Sequence, residues 1–200
     1  MKKLLKISAL IAAMALSCAF FGCSNGNSSV GSTTISFDDC TAPATEVTLS
    51  DGNWTLKITH IDDAMSSEIN IKATASNGSY TYTSGSETRV ADLSKQMNAE
   101  DLTEFNALST DDEKKQAIIK RMECPEDATI TFNGNIVTIK ASYSTEEALQ
   151  QLQSEFDLSK LLSELPSEAI IKTNSDKTKY TITLSIDEGK GTVVFYISKD

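Results

Sequence analysis

Apolar residues alternate with polar ones in several separate stretches of this chain, and the alternation restricts the possible fold more than any other feature. In the first stretch Trp54, Leu56 and Ile58 are separated by Thr55 and Lys57. Successive side chains of a β-strand point to opposite faces, so this period of two predicts a strand with one buried face. The same signal predicts strands near residues 69–73, 80–82, 128–132, 135–143, 169–173, 180–186 and 193–197.

The clearest local unit is a hairpin centred on Asn133-Gly134. This dipeptide readily adopts the positive φ angles that a two-residue type I′ turn requires. A turn at these two residues would pair Phe132 with Asn135 and Ile130 with Val137, which keeps the apolar side chains on one face. The sequence therefore predicts both the hairpin and its register.

Two helical segments, near residues 102–122 and 147–165, interrupt the strands. Their apolar residues recur every three or four positions, which places them on one side of a helix. Two pairs of residues have the spacing of a capping box, in which two side chains bond the free amides at a helix start. These pairs are Thr110 with Glu113 and Ser144 with Glu147.

The order of these elements predicts the fold class. Short connections between strands imply antiparallel pairing, and the helices come in two groups rather than after every strand. We therefore expect an α+β fold with an antiparallel, curved or barrel-like sheet of about seven or eight strands and two helical segments packed against it. Residues 46–200 are expected to form this single domain.

The N-terminal segment predicts export. Lys2, Lys3 and Lys6 precede a mostly apolar run over residues 7–22, the arrangement of a signal peptide. The run is shorter than the roughly 20 residues that span a hydrocarbon core, and no basic cluster follows it. A retained transmembrane helix is therefore not expected.

The end of this run resembles the lipobox of bacterial lipoproteins. Phe20-Phe21-Gly22-Cys23 has the small residue before a cysteine that the family requires, although Phe20 replaces the usual aliphatic residue. The resemblance implies that residues 1–22 are removed and that Cys23 is acylated, which would anchor the chain in the cell envelope, on the periplasmic face or the outer surface. Cys18 is a competing site, but Cys23 leads directly into a polar stretch. Residues 23–45 are therefore predicted to be a flexible tether.

The charge of the chain argues against nucleic-acid binding. The formal net charge is -10, and removal of residues 1–22 leaves 15 basic against 28 acidic residues. Binding to nucleic acid depends on lysine and arginine neutralising phosphates. In the sequence the basic residues are scattered, so no patch for nucleic acid or for anionic lipid head groups is visible.

Cys40 and Cys124 remain after the expected processing. In an oxidising envelope two such cysteines can form a disulfide, although sequence alone does not place them together. The alternative is two separate thiols. Both possibilities stay open at this stage.

No recognisable catalytic or metal-binding motif is present in the sequence. His60 is the only histidine, which excludes sites built on two imidazoles, and its place in the strand alternation favours a structural side chain. Carboxylates are abundant but lack diagnostic spacing. We therefore expect a non-catalytic protein without metal or cofactor, with a hydrolase using paired carboxylates as an alternative.

Gly52-Asn53-Trp54, at the start of the first strand, resembles the G-x-W signature of lipocalins. The resemblance implies a barrel that carries a small hydrophobic ligand. Lipocalins also have an arginine near the last strand that packs on the tryptophan, and this chain offers only Lys199 there. A protein-interaction module that binds an envelope protein is therefore the first functional expectation, and a lipocalin-like carrier is the alternative.

The lipid anchor can be tested by intact-mass measurement of the processed chain. We expect a chain that begins at Cys23 and is heavier than its sequence by the attached acyl groups. Cys23→Ser should abolish the added mass, whereas the matched variant Cys18→Ser should leave it unchanged. An unmodified residue 23 in the natural chain would show that the lipoprotein interpretation is wrong.

Overall fold

The structure is a computed structural model that describes residues 35–122, 127–186 and 191–200. Cys23 and Cys124 lie outside the described residues, so the lipidation and the disulfide stay predictions. The strands are β1 (Ala42–Pro43), β2 (Gly52–Ile61), β3 (Met65–Ser76), β4 (Ser79–Asp92), β5 (Thr129–Asn133), β6 (Ile136–Tyr143), β7 (Ile170–Thr173), β8 (Lys179–Ile186) and β9 (Gly191–Lys199). The helices are α1 (Leu93–Gln96), α2 (Ala99–Ala107), α3 (Asp111–Met122), α4 (Glu146–Glu155) and α5 (Leu158–Ser163).

The strands of the described chain form one antiparallel sheet in the order β1-β7-β8-β9-β2-β3-β4-β6-β5. The first long strand, β2, lies between β3 and the last strand, β9. The sheet is open at its two edge strands, β1 and β5. The predicted α+β class with an antiparallel sheet is confirmed, and the nine strands slightly exceed the predicted seven or eight.

One face of this sheet, called the inner face here, carries the hydrophobic core. Leu56, Ile182 and Ile197 on this face have no exposed surface. The inner face holds two clusters of buried apolar residues. The first cluster spans β2, β3, β8 and β9 and is covered by α4 and α5, whereas the second spans β4 and β6 and is covered by α1 to α3.

Side chains cap both of the predicted helix starts, although one cap lies one residue later than predicted. Glu113 accepts hydrogen bonds from the amides of Ser109 and Thr110, and Thr110 accepts one from the amide of Glu113. This capping box is confirmed. At α4 the predicted Ser144 is wrong, because the side chain of Thr145 caps the helix by accepting from the amide of Ala148.

The β5–β6 hairpin is confirmed, but its predicted register is wrong. Phe132 pairs with Val137 and Asn133 with Ile136, so the turn residues are Gly134 and Asn135. Gly134 has φ +60° at the first central position, which is typical of a type II′ turn. A shift of two residues leaves the apolar side chains on the same face, so the sequence pattern does not distinguish the two registers.

Part of the predicted tether packs on the domain. Residues 42–43 form β1 and pair with β7, and Cys40 is buried. Hydrogen bonding to an edge strand holds this segment in place, so the described portion up to residue 45 is not a free spacer. The segment is poor in large apolar residues, so its composition does not predict this pairing.

Gly85 allows α4 to approach β4. A Cβ atom built at Gly85 would lie 2.9 Å from Cδ2 of Leu152 and 3.3 Å from Cβ of Tyr143. Real Cβ atoms essentially never come as close as the first of these distances, so a side chain here would displace the helix or its leucine. The close packing of α4 on the sheet therefore requires glycine.

Gly85→Val is expected to lower the free energy of unfolding by about 1–3 kcal/mol, because it overpacks the contact with Leu152. Urea unfolding measures this loss. Ser84→Ala, one residue away on the opposite face, is the control and should change stability by less than about 0.5 kcal/mol. If the overpacking is real, Leu152→Ala and Gly85→Val will cost less together than the sum of their separate effects; strictly additive losses would contradict the contact.

Candidate functional site

A buried ion pair lies on the inner face between the two hydrophobic clusters. Nε of Arg89 donates to Oε1 of Glu87 at 2.5 Å, and Nη2 donates to Oε2 at 3.2 Å. The side chains are only 3% and 5% exposed. Tyr143 adds a hydrogen bond from its hydroxyl to Oε2 of Glu87 at 3.1 Å. Both carboxylate oxygens are therefore occupied by internal donors.

Arg89 also connects the sheet to a helix end. Its Nη1 donates to the carbonyl of Met122 at 3.2 Å, the last residue of α3. The C-terminal carbonyls of a helix lack partners within the helix and favour a cation. The ion pair thus holds α3 against β4, and its geometry is that of an internal structural link.

His60 lies at the end of the same face and is buried. Its Nε2 is 3.3 Å from Oδ2 of Asp62, without the alignment of a hydrogen bond. The other oxygen of Asp62 accepts from the amides of Ala64 and Met65 at 2.7 Å each. Asp62 therefore closes the β2–β3 turn, and His60 packs beside it.

Cys40 lies beside the turn between β7 and β8. Burial raises the pKa of its thiol, and the nearby carboxylate of Asp39 acts in the same direction. The thiolate is the reactive form of cysteine, so a raised pKa makes this thiol less nucleophilic. The pairing of Cys40 with Cys124 stays a prediction, because Cys124 lies outside the described residues.

The other side of the sheet, called the outer face here, carries mainly polar side chains. The register aligns its residues in rows across the strands, and ten of the twenty residues in three neighbouring rows are serine or threonine, of which Ser198 is buried. The buried residues of the helices join the two clusters on the opposite side. The rows are Lys179-Ser198-Thr55-Lys72-Ser84, Lys172-Thr181-Tyr196-Lys57-Asn70-Ser86-Ser142, and Ile170-Thr183-Val194-Thr59-Glu68-Thr88-Lys140-Thr129.

The outer face is basic although the chain is acidic. Three neighbouring rows contain five lysines and one glutamate, and the carboxylates of Asp39 and Asp200 also contact residues of these rows. These lysines are far apart in the sequence, and only the register brings them together. The sequence interpretation that basic residues are scattered is therefore incomplete. The lysines are Lys57, Lys72, Lys140, Lys172 and Lys179.

Two of these lysines are paired. Nζ of Lys57 lies 2.6 Å from Oε2 of Glu68, and Nζ of Lys179 lies 3.1 Å from Oδ2 of Asp39. Burial raises the pKa of Glu68, but the hydrogen bonds from Lys57 and Asn70 outweigh it, so the pKa is lowered overall. The hydrogen bond from Lys179 likewise lowers the pKa of Asp39. Both carboxylates are thus held in the charged form.

The three remaining lysines, called the outer lysines here, are exposed. They form no ion pair within 4.0 Å among the described residues. They lie on β3, β6 and β7, and the distance across the strands from β7 to β6 is roughly 29 Å at about 4.8 Å per strand. This spread suits a large anionic surface better than a small ligand. The outer lysines are Lys72, Lys140 and Lys172.

The N-terminal end of the described chain lies on this same face. The ring of Phe37 packs on that of Tyr196 with centroids 5.2 Å apart. Nζ of Lys179 donates to the carbonyl of Ser36 at 2.9 Å as well as to Asp39. The segment that precedes the domain therefore reaches it across the outer face near β8 and β9.

In the lipocalin-like motif, the side chain of Lys199 packs over the ring of Trp54. Nζ of Lys199 lies 5.9 Å from the centre of the Trp54 ring, within the range of a cation–π contact. Gly52 has φ +133°, and a Cβ there would lie 2.9 Å from Cε of Lys199. Ser50 holds both partners, because its carbonyl accepts from Nε1 of Trp54 and its hydroxyl from Lys199.

The described residues contain no group of three or more histidine, cysteine, aspartate or glutamate side chains able to hold a metal ion. None of the helices in the described part of the chain combines the length and the apolar character needed to cross a bilayer.

Comparison with known proteins gave no match: no protein-family model, no curated protein and no solved structure is similar to this chain. The candidate site is therefore assigned from its geometry alone.

The buried ion pair predicts a characteristic pattern of stability. Arg89→Met leaves a buried carboxylate without its cation and is expected to cost about 3–5 kcal/mol in the free energy of unfolding. The double variant Glu87→Leu/Arg89→Met removes both charges and should recover most of that loss. Urea unfolding measures both values.

The exposed pair Lys57–Glu68 provides the control, since its side chains are 44% and 43% exposed. Lys57→Met is expected to cost no more than about 1 kcal/mol, because water already solvates both charges. An equally small cost for Arg89→Met would contradict the structural role of the buried pair.

Proposed function

We propose that this protein is a lipid-anchored extracytoplasmic lipoprotein that acts as a non-catalytic binding module of the cell envelope, and that the outer face is its binding surface. The observation that carries the proposal is the concentration of hydroxyl groups and lysines on the sheet face opposite the helices. Such side chains supply hydrogen-bond donors and positive charge over a wide area. Binding of an extended polar partner needs this arrangement.

The state of the internal polar groups supports a non-catalytic role. Both oxygens of Glu87 accept hydrogen bonds from Arg89 and Tyr143. One oxygen of Asp62 closes a turn. A hydrolase would instead need two converging carboxylates beside a cleft, one to donate a proton and one to attack or activate water. The internal carboxylates of the described chain serve the fold.

A lipocalin-like carrier is the second candidate, because Lys199 lies over Trp54 and the first long strand pairs with the last. A carrier needs space on the inner face. At the centre of that face the ring of Phe156 is stacked between Tyr82 and Phe195, with centroids 6.3 and 6.4 Å away. These three side chains fill the centre of the inner face, which favours the binding module over the carrier.

Site-specific photocrosslinking in living cells tests the proposed surface. A photoreactive amino acid would replace Ser142 or Thr129 on the outer face, and Gln116 or Gln150 on the helices as controls of matched exposure. We expect adducts with envelope components from the outer-face positions at several times the yield of the helix positions. Mass spectrometry of the adducts identifies their chemical class.

Adducts confined to the helix positions would show that the outer face is not the binding surface. An absence of adducts at all four positions would contradict a binding module. Native mass spectrometry of the same purified protein addresses the carrier, since a small hydrophobic molecule retained inside the domain would favour that alternative over the proposal.

A further inference from the structure

We infer that the outer face lies against the anionic head groups of the membrane that carries the anchor. The inference rests on the proposed function and names the partner of the same surface. Three features of the molecule support it: the distribution of charge, the path of the N-terminal segment and the reach of the tether.

Charge is divided between the two sides of the domain. Five lysines lie in three neighbouring rows of the outer face, against the carboxylates of Glu68, Asp39 and Asp200. The five helices on the other side contain nine acidic and six basic residues, which leaves that side acidic. A negatively charged membrane attracts the first side and repels the second, so it orients the domain.

The N-terminal segment arrives on the side that the charge favours. Phe37 packs on Tyr196, and Lys179 contacts Ser36 and Asp39. These contacts fix the last part of the segment on the outer face. The described chain therefore begins at this face, so an anchor that precedes it can bring the lysines to the membrane without the domain turning over.

The tether is short enough to keep this face near the bilayer. Cys23 and Ile35 are 12 positions apart, a distance of at most about 42 Å when extended. Because the anchor makes the contact intramolecular, modest attraction is sufficient.

The three outer lysines supply attraction of this size. Each lysine close to an anionic membrane raises the equilibrium constant for contact between the outer face and the membrane by about fivefold. Three lysines therefore raise this equilibrium constant by about a hundredfold. Neighbouring serine and threonine hydroxyls can donate hydrogen bonds to phosphate oxygens. A soluble acidic polysaccharide shares this chemistry, but the position of the anchor favours the membrane.

Lysine footprinting on the processed, lipidated chain tests the inference. The protein is inserted in phosphatidylcholine vesicles, or in vesicles that also contain phosphatidylglycerol, and an acylating reagent modifies exposed lysines. Mass spectrometry gives the rate at each residue. Three lysines on the helices, called the helix lysines, are the internal control. They are Lys115, Lys120 and Lys160.

We expect the anionic vesicles to slow modification of the outer lysines by about fivefold or more relative to phosphatidylcholine vesicles. The helix lysines should be unaffected, and high salt should restore the outer rates because it screens the charges. Lys57 should also be modified more slowly on anionic vesicles. Replacing the outer lysines by glutamine should abolish this slowing at Lys57, whereas replacing the helix lysines by glutamine should not.

Equal rates in the two kinds of vesicle, or slower modification of the helix lysines, would overturn the inference. Protection of the outer lysines by a soluble acidic polysaccharide without protection by anionic vesicles would also overturn it. That last result would leave the proposed binding function in place, because the crosslinking experiment tests the surface independently of the partner's identity.

Discussion

The burial of a single face of the sheet is the constraint on which the rest of this structure depends. Side chains along a strand alternate between the two faces of a sheet. Because the apolar side chains pack against the helices on one face, the polar side chains between them lie on the other face. Leu56 and Ile182 are fully buried on one face, and Thr55 and Thr183 therefore lie on the other. The proposed binding surface is thus a consequence of how the core is formed.

Much of the fold could be predicted from the sequence because the core obeys this alternation, but β4 shows where the signal fails. Only residues 80–82 were predicted as strand, whereas β4 extends over Ser79–Asp92. Its inward positions include Gly85, Glu87 and Arg89, which interrupt the apolar pattern. Their burial becomes possible only when the ion pair, Tyr143 and the end of α3 come together, and these partners are distant in sequence.

The lysine surface could not be predicted for a related reason. Lys72, Lys140 and Lys172 are each unremarkable outward residues of separate strands. Their proximity depends on strand order and register, and the hairpin at β5–β6 shows that the apolar pattern leaves register open by two residues. Such a shift changes which outward side chains are neighbours but leaves the core composition unchanged, so binding surfaces are harder to predict than cores.

The pairing of two lysines limits how strongly the outer face attracts anions. Lys57 is held by Glu68 and Lys179 by Asp39, and the second pair fixes the arriving N-terminal segment. Three lysines remain, spread over a width that exceeds the screening length of about 8 Å at physiological salt. Each therefore contributes nearly independently, and attraction of this kind is reversible and sensitive to salt. In the proposed function, a permanent anchor combined with a weak orienting face would retain the protein at the membrane while allowing the face to separate from it.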